Sequence, residues 1–268
     1  MPKLTRRETL AAGALSVVAP AILSMKANAA GSKSHICLVH GAWHGAWAWT
    51  RVVPLLIEKG FSVSALDLSG LGANAHRQSL DIGLHVHGQD ILSHLFFNDY
   101  RDAVVVGHSY GGGALSQALA GDKEGRIAHA IYLDAFLLAE GEAVAAFQNK
   151  EVREGMERSA AEGKMIPPRA RETWEKIWGL KGEPAEFSAP RMRPMSPRCF
   201  LEQVQGDPFD GKARLTYMRC KQNDNDVFKA FSKKAKADSR FTTADIDGHH
   251  NVMVIDPLRM RDDLIGVL

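Results

Sequence analysis

Cysteine, charge of one sign and long apolar runs are all scarce in this chain of 268 residues. Its three cysteines, Cys37, Cys199 and Cys220, are an odd number, which excludes a complete disulfide framework. Cys37 and Cys220 sit in apolar runs and read as small core residues, and no metal-ligand spacing involves any of the three. Lys+Arg number 33 against 31 Asp+Glu, a balance too even to imply a nucleic-acid partner. Beyond the first 30 or so residues no apolar run approaches membrane-spanning length. The 24 Gly and 11 Pro are scattered without period, which excludes collagen-like or low-complexity character. What is present, 45% hydrophobic and 24% charged residues, excludes intrinsic disorder and suits one large domain or two small ones.

The N-terminus reads as an export signal over residues 1–29. Lys3, Arg6 and Arg7 form a positive n-region, and the apolar stretch 10–23 is too short to span roughly 30 Å of hydrocarbon. Ala27-Asn28-Ala29 offers a small-x-small cleavage site, and Thr5-Arg6-Arg7-Glu8-Thr9-Leu10 resembles the twin-arginine motif. The small positive charge belongs to this leader. The expectation is a periplasmic or secreted protein with no stable membrane anchoring once the leader is removed.

From His35 onward, short apolar runs alternate with amphipathic stretches. The runs 35–40, 61–67, 103–107, 128–133, 214–220 and 241–246 read as strands, the continuous ones buried on both faces. Helices are expected over 47–59, 84–97, 112–119 and 226–237, with a last one opened by Pro257. This βα alternation predicts an α/β fold with a doubly wound, mainly parallel sheet, its site at the carboxyl ends of the strands. Residues 138–210 are too long for a plain connection and are expected to form a helical cap, inserted after the fourth strand. Helical pieces over 142–161 and 170–179 fit within it. The core is then 30–137 with 211–268.

Gly107-His108-Ser109-Tyr110-Gly111 is the strongest chemical feature. Between an apolar strand and a helix of small residues, Ser109 falls on a sharp turn that projects its hydroxyl from the sheet edge. The helix start behind it favours developing negative charge. Acyl transfer needs two backbone N–H donors for the oxyanion: Tyr110, after the serine, and Ala42, in the His40-Gly41-Ala42-Trp43 loop after the first strand. No Gly-Lys-Ser/Thr follows that loop, so a phosphate cradle is excluded. The base is expected in Asp247-Gly248-His249-His250-Asn251, just past the last strand. Adjacent histidines cannot both face the serine, so the candidates are His250 and His249. His44, His85, His87 and His108 read as structural or surface groups.

These residues make the chain resemble the α/β-hydrolase superfamily. The segments His40-Gly41-Ala42-Trp43-His44-Gly45-Ala46-Trp47 and Gly107-His108-Ser109-Tyr110-Gly111-Gly112, with His250, Met253 and Pro257, are similar to the branch of small plant methylesterases, hydroxynitrile lyases and bacterial esterase relatives. The resemblance runs from His35 to the end and is weakest across the cap. It implies a Ser-His-acid triad with no cofactor, and the spacing to Met253 and Pro257 matches His250 to the base. The acid departs from the branch, whose usual aspartate falls at Asn223, with Asp224 and Asp226 slightly displaced. Asp134, ending the fourth strand, occupies the place haloalkane dehalogenases use. Asn223 cannot supply charge, which favours Asp134, with Asp224 as the alternative.

The expected function is hydrolysis of a small or medium, largely hydrophobic carboxylic ester through an acyl-serine, lactones and carbamates included. Lyase relatives carry a threonine after the first-strand histidine and a lysine after the catalytic one; here those places hold Gly41 and Asn251. Dehalogenation needs a carboxylate where Ser109 stands. A non-catalytic binder on the same fold is the alternative from a different class. The partner in either case is a small molecule.

Overall fold

The computed structural model describes residues 34–268, so the export signal read over 1–29 lies outside the described residues. Six strands form one parallel sheet: β1 (Ile36–Val39), β2 (Val63–Leu66), β3 (Ala103–His108), β4 (Ile127–Leu133), β5 (Arg214–Cys220) and β6 (Phe241–Ile246). They lie in the order β2-β1-β3-β4-β5-β6. The chain runs outward from β1 to β2, then returns to build the other half, so the order reverses between β1 and β3. A doubly wound sheet opens its ligand crevice at such a switch point, beyond the carboxyl ends of the strands.

Register decides which residues meet there. Val39 pairs with Gly107, His108 with Leu133, and Leu133 with Met218. Ser109 and Asp134, each the next residue along, therefore leave the sheet at one level. β1 and β3 are wholly buried, which is why they read as continuous apolar runs, whereas β6 at the sheet edge exposes Thr242, Thr243 and Asp245 and buries only Ile246 fully.

Helices α2 (Leu84–Phe97), α3 (Tyr110–Gly121) and α8 (Asp226–Ala237) lie close to their expected bounds. Others differ. The stretch 47–59 splits into a 3-10 turn, Ala46–Trp49, and α1 (Val53–Glu58), because Pro54 is tolerated only in a helix's first turn and so fixes where α1 begins. The helix expected over 142–161 starts only at α4 (Lys150–Ala161), where the Asn149 side chain accepts the Val152 N–H at 2.9 Å. The turn Val144–Phe147 precedes it. The stretch 170–179 begins as α5 (Arg171–Thr173) and widens into a π-helical turn, Trp174–Trp178, closed by Gly179 at φ 73°. Then come α6 (Gly182–Ser188), α7 (Arg198–Leu201) and, after β6, α9 (Val252–Ile255) and α10 (Pro257–Ile265).

Between β4 and β5 the chain thus places α4 to α7 and a short antiparallel bridge, Ile166 to Met195. Met156, Trp178 and Phe200 from this stretch line the cavity above the sheet. Among the described residues no helix is long and apolar enough to cross a membrane.

Candidate active site

Ser109 sits between β3 and α3 with φ 53° and ψ −119°, a left-handed conformation a side chain rarely adopts. Sheet and helix hold it from both sides: its N–H donates to the Leu133 carbonyl at 3.2 Å, and its carbonyl accepts from Gly112 and Phe136 at 3.1 and 3.0 Å. The turn is this tight because neighbouring backbones touch. A Cβ at Gly111 would lie 2.6 Å from the His40 carbonyl oxygen.

Ala42 and Tyr110 line the same cavity of about 220 Å³ as Ser109. Among the described residues neither backbone N–H donates to a protein acceptor. Tyr110 opens α3, so its amide is one of the helix's unsatisfied first-turn donors. Its ring is fixed by a 2.7 Å bond between its hydroxyl and His87 Nδ1. The Ala42 loop is fixed by histidines. His40 Nδ1 donates to the Gly41 carbonyl at 2.9 Å and His44 Nδ1 to the Ala42 carbonyl at 2.6 Å. Their Nε2 atoms accept, from the Leu68 N–H at 3.2 Å and Asn251 Nδ2 at 2.8 Å. Burial drives the pKa of His40 to about 3 and of His44 to about 4, so both are neutral at neutral pH. Trp43, at φ 64°, donates its N–H to Met195 Sδ at 3.0 Å.

His250 is buried and lines the same cavity as Ser109, its ring stacked on Phe228 at 5.1 Å between centroids. Its Nδ1 lies 2.7 Å from Asp134 Oδ2, and its carbonyl accepts from His108 Nε2 at 3.0 Å. His108 is held well below the usual histidine range, by burial first and by the neighbouring histidines. Asp134 is fully buried at φ 43°. Its Oδ1 accepts from Arg219 Nη1 at 2.6 Å and the Cys220 N–H at 3.3 Å; its Oδ2 also accepts from Asn223 Nδ2 at 2.5 Å. A carboxylate this deep is sustainable because a guanidinium and several N–H donors surround it. Arg219 in turn donates to the Cys220 and Asn223 carbonyls.

The structure therefore gathers Ser109, Ala42, Tyr110 and His250 around one cavity, with Asp134 behind the imidazole, and leaves the two alternatives outside. Asp224 is 92% exposed and pairs with Lys229, which holds its carboxyl below the usual range. His249 packs on Gly179, where a Cβ would come within 2.4 Å of its side chain, and does not line the cavity. Sequence reasoning missed Arg219 and the role of Asn223. It also set aside His44 and His108, both of which line the cavity. A signal for Arg219 was available: an arginine inside a buried parallel strand requires an acid beside it. Among the described residues no group of three or more His, Cys, Asp or Glu is placed to hold a metal ion.

Known proteins place the chain further. The model described as the alpha/beta hydrolase family matches residues 38–262. Methylesterase 2 of Arabidopsis thaliana is 43% identical over 108 residues, 39% of this chain and 40% of that protein. The carbendazim hydrolyzing esterase of Nocardioides sp. (strain SG-4G) is 32% identical over 117 residues, 44% of this chain and 48% of that one. These matches span less than half the length of either relative. Among solved structures, an extracellular alpha/beta-hydrolase from a Paenibacillus species covers 87% of this chain and 98% of its own, with TM-score 0.74 and 18% identity, a likeness of fold. With the matched family model covering most of its length, the chain belongs to the alpha/beta hydrolase family.

Proposed function

We propose that the protein is a serine hydrolase that cleaves a small carboxylic ester through an acyl-serine intermediate. The observation that carries this reading is the 2.7 Å contact between His250 Nδ1 and Asp134 Oδ2 behind a cavity that also exposes Ser109 at its strained turn. With Nδ1–H donating to Asp134, Nε2 is left unprotonated to accept the Ser109 hydroxyl proton as Oγ attacks the ester carbonyl. The Ala42 and Tyr110 N–H groups hold the oxyanion, and α3 presents its positive end to the same charge. Collapse of the tetrahedral intermediate breaks the ester C–O bond, and His250 returns the proton to the departing alcohol. Water, deprotonated by the same imidazole, then releases the acid and restores Ser109.

A cavity of about 220 Å³ walled by Phe136, Val144, Trp178 and Phe200 suits a small ester with an apolar part. The relatives named as esterases support the same class. Carbon–carbon cleavage of the lyase type finds no support, since Gly41 has no side chain and the Asn251 amide is bonded to His44. Hydrolysis of methyl and p-nitrophenyl esters by the wild type and by Ser109→Ala tests the reading. Turnover lost in the variant supports it; ligand binding with no turnover in either protein points to a binder instead.

A further inference from the structure

The proposed function leaves one charge in the cavity unused. Arg169, on the loop between α4 and α5, lines the cavity, and its backbone carbonyl is tied by the Trp174 indole N–H at 2.6 Å. Its guanidinium has one side-chain acceptor among the described residues, Gln148 Oε1 at 3.3 Å from Nη2, and lies 6.0 Å from the centre of the Trp43 ring. Arg51, Arg126, Arg198 and Arg219 each meet a carboxylate; among the described residues Arg169 meets none within ion-pair distance. Burial pulls its pKa down with no acidic neighbour to raise it.

Three side-chain amides that line the same cavity have their oxygens in use. The Asn149 side-chain oxygen is used by the Val152 N–H and that of Asn225 by the Val227 N–H, at 2.9 Å each. Gln148 gives its oxygen to Arg169. Each amide is left with its NH2 group to offer, and no aspartate or glutamate lines the cavity. A half-buried cation in an otherwise largely apolar cavity, lacking a counter-charge, is complementary to an anion with an apolar body.

Building on the esterase reading, we propose that the substrate is an ester carrying a second, ionised carboxylate away from the scissile bond, and that Arg169 binds that carboxylate. The planar guanidinium fork matches two carboxylate oxygens, and the apolar wall accommodates the carbon chain between the two ends. Arg169 is then a specificity-determining residue that touches the substrate and takes no part in proton transfer.

The test compares monomethyl esters of the C4 to C8 straight-chain dicarboxylic acids with the corresponding neutral dimethyl esters. The wild type is expected to prefer at least one monoanionic ester over its diester by about tenfold or more in kcat/KM, mainly through KM. Arg169→Gln should erase that ratio, Arg169→Lys should keep part of it, and added salt should weaken it. No preference at any chain length, or an unchanged ratio in Arg169→Gln, overturns the proposal. Binding of the same monoesters to Ser109→Ala and to Ser109→Ala/Arg169→Gln, by calorimetry, separates this failure from that of the esterase reading. Binding that the second substitution abolishes supports the carboxylate site even without turnover; absent binding, or equal binding in both, overturns it.

Discussion

Asp134 is answered by four kinds of donor at once: a guanidinium, a backbone N–H, a side-chain amide and an imidazole N–H. Replacing it by Asn keeps the size but gives His250 Nδ1 the wrong partner, so kcat should fall by about 10⁴-fold. Asp134→Ala should also destabilise the fold, by about 3–5 kcal/mol in urea unfolding, because Arg219 is left buried without its anion. Asp224→Asn, on the surface, should change neither. Equal losses in Asp134→Asn and Asp224→Asn would contradict this assignment. The histidines of the Ala42 loop give a pH signature. His40 and His44 titrate near 3 and 4 in the folded protein against 6.5 in an unperturbed chain. Between those values the unfolded chain binds more protons, so stability declines as pH falls from about 6.5 to about 4. The urea midpoint should drop across that window, and less steeply in His44→Gln; an equal slope in both would contradict the account. Of these residues, Asp134 was legible because a charge was needed and Asn223 could not provide it. Arg219 and Asn223 were not, because their function exists only where β4, β5 and the loop after β5 meet.

At the scale of elements, the loop that carries Ala42 is held from above by the segment between β4 and β5. Trp43 donates its backbone N–H to Met195 Sδ and its indole N–H to the Ile166 carbonyl at 3.2 Å, and its own carbonyl accepts from the Arg193 N–H at 3.0 Å. The inserted segment therefore walls the cavity and also fixes the donor loop. Met195→Leu preserves volume but removes the acceptor, leaving a buried N–H unpaired at a cost of about 1–3 kcal/mol. The expected result is a kcat loss of roughly fivefold or more with little change in KM; a rise in KM alone would mean that Met195 only shapes the pocket. The strands and helices α2, α3 and α8 were readable because burial on two faces and amphipathic periodicity are local properties. The bounds of the pieces over 142–179 were not. There a cap residue, a proline or a packed neighbour decides where each turn begins, and the π-helical turn at Trp174–Trp178 has no sequence period of its own.

For the whole molecule, the doubly wound parallel sheet was legible in the sequence, whereas the strand order that puts the switch point between β1 and β3 was not. The size and polarity of the cavity were not, since its walls come from segments far apart in the chain. We propose that residues 1–29 direct export, on the strength of Arg6-Arg7, the short apolar stretch and Ala27-Asn28-Ala29. Replacing Arg6 and Arg7 by Lys should hold the protein in the cytoplasm of the producing cell with its leader attached; unchanged export and cleavage would refute a twin-arginine route. Whether an acyl group is carried on Ser109 is read by rapid mixing with excess p-nitrophenyl butyrate. The p-nitrophenol burst is followed while the intact protein is weighed by mass spectrometry. The expected result is a burst of about one equivalent, a butyryl adduct mapped to Ser109, and neither in Ser109→Ala. An adduct elsewhere, or turnover that survives in Ser109→Ala, would contradict it.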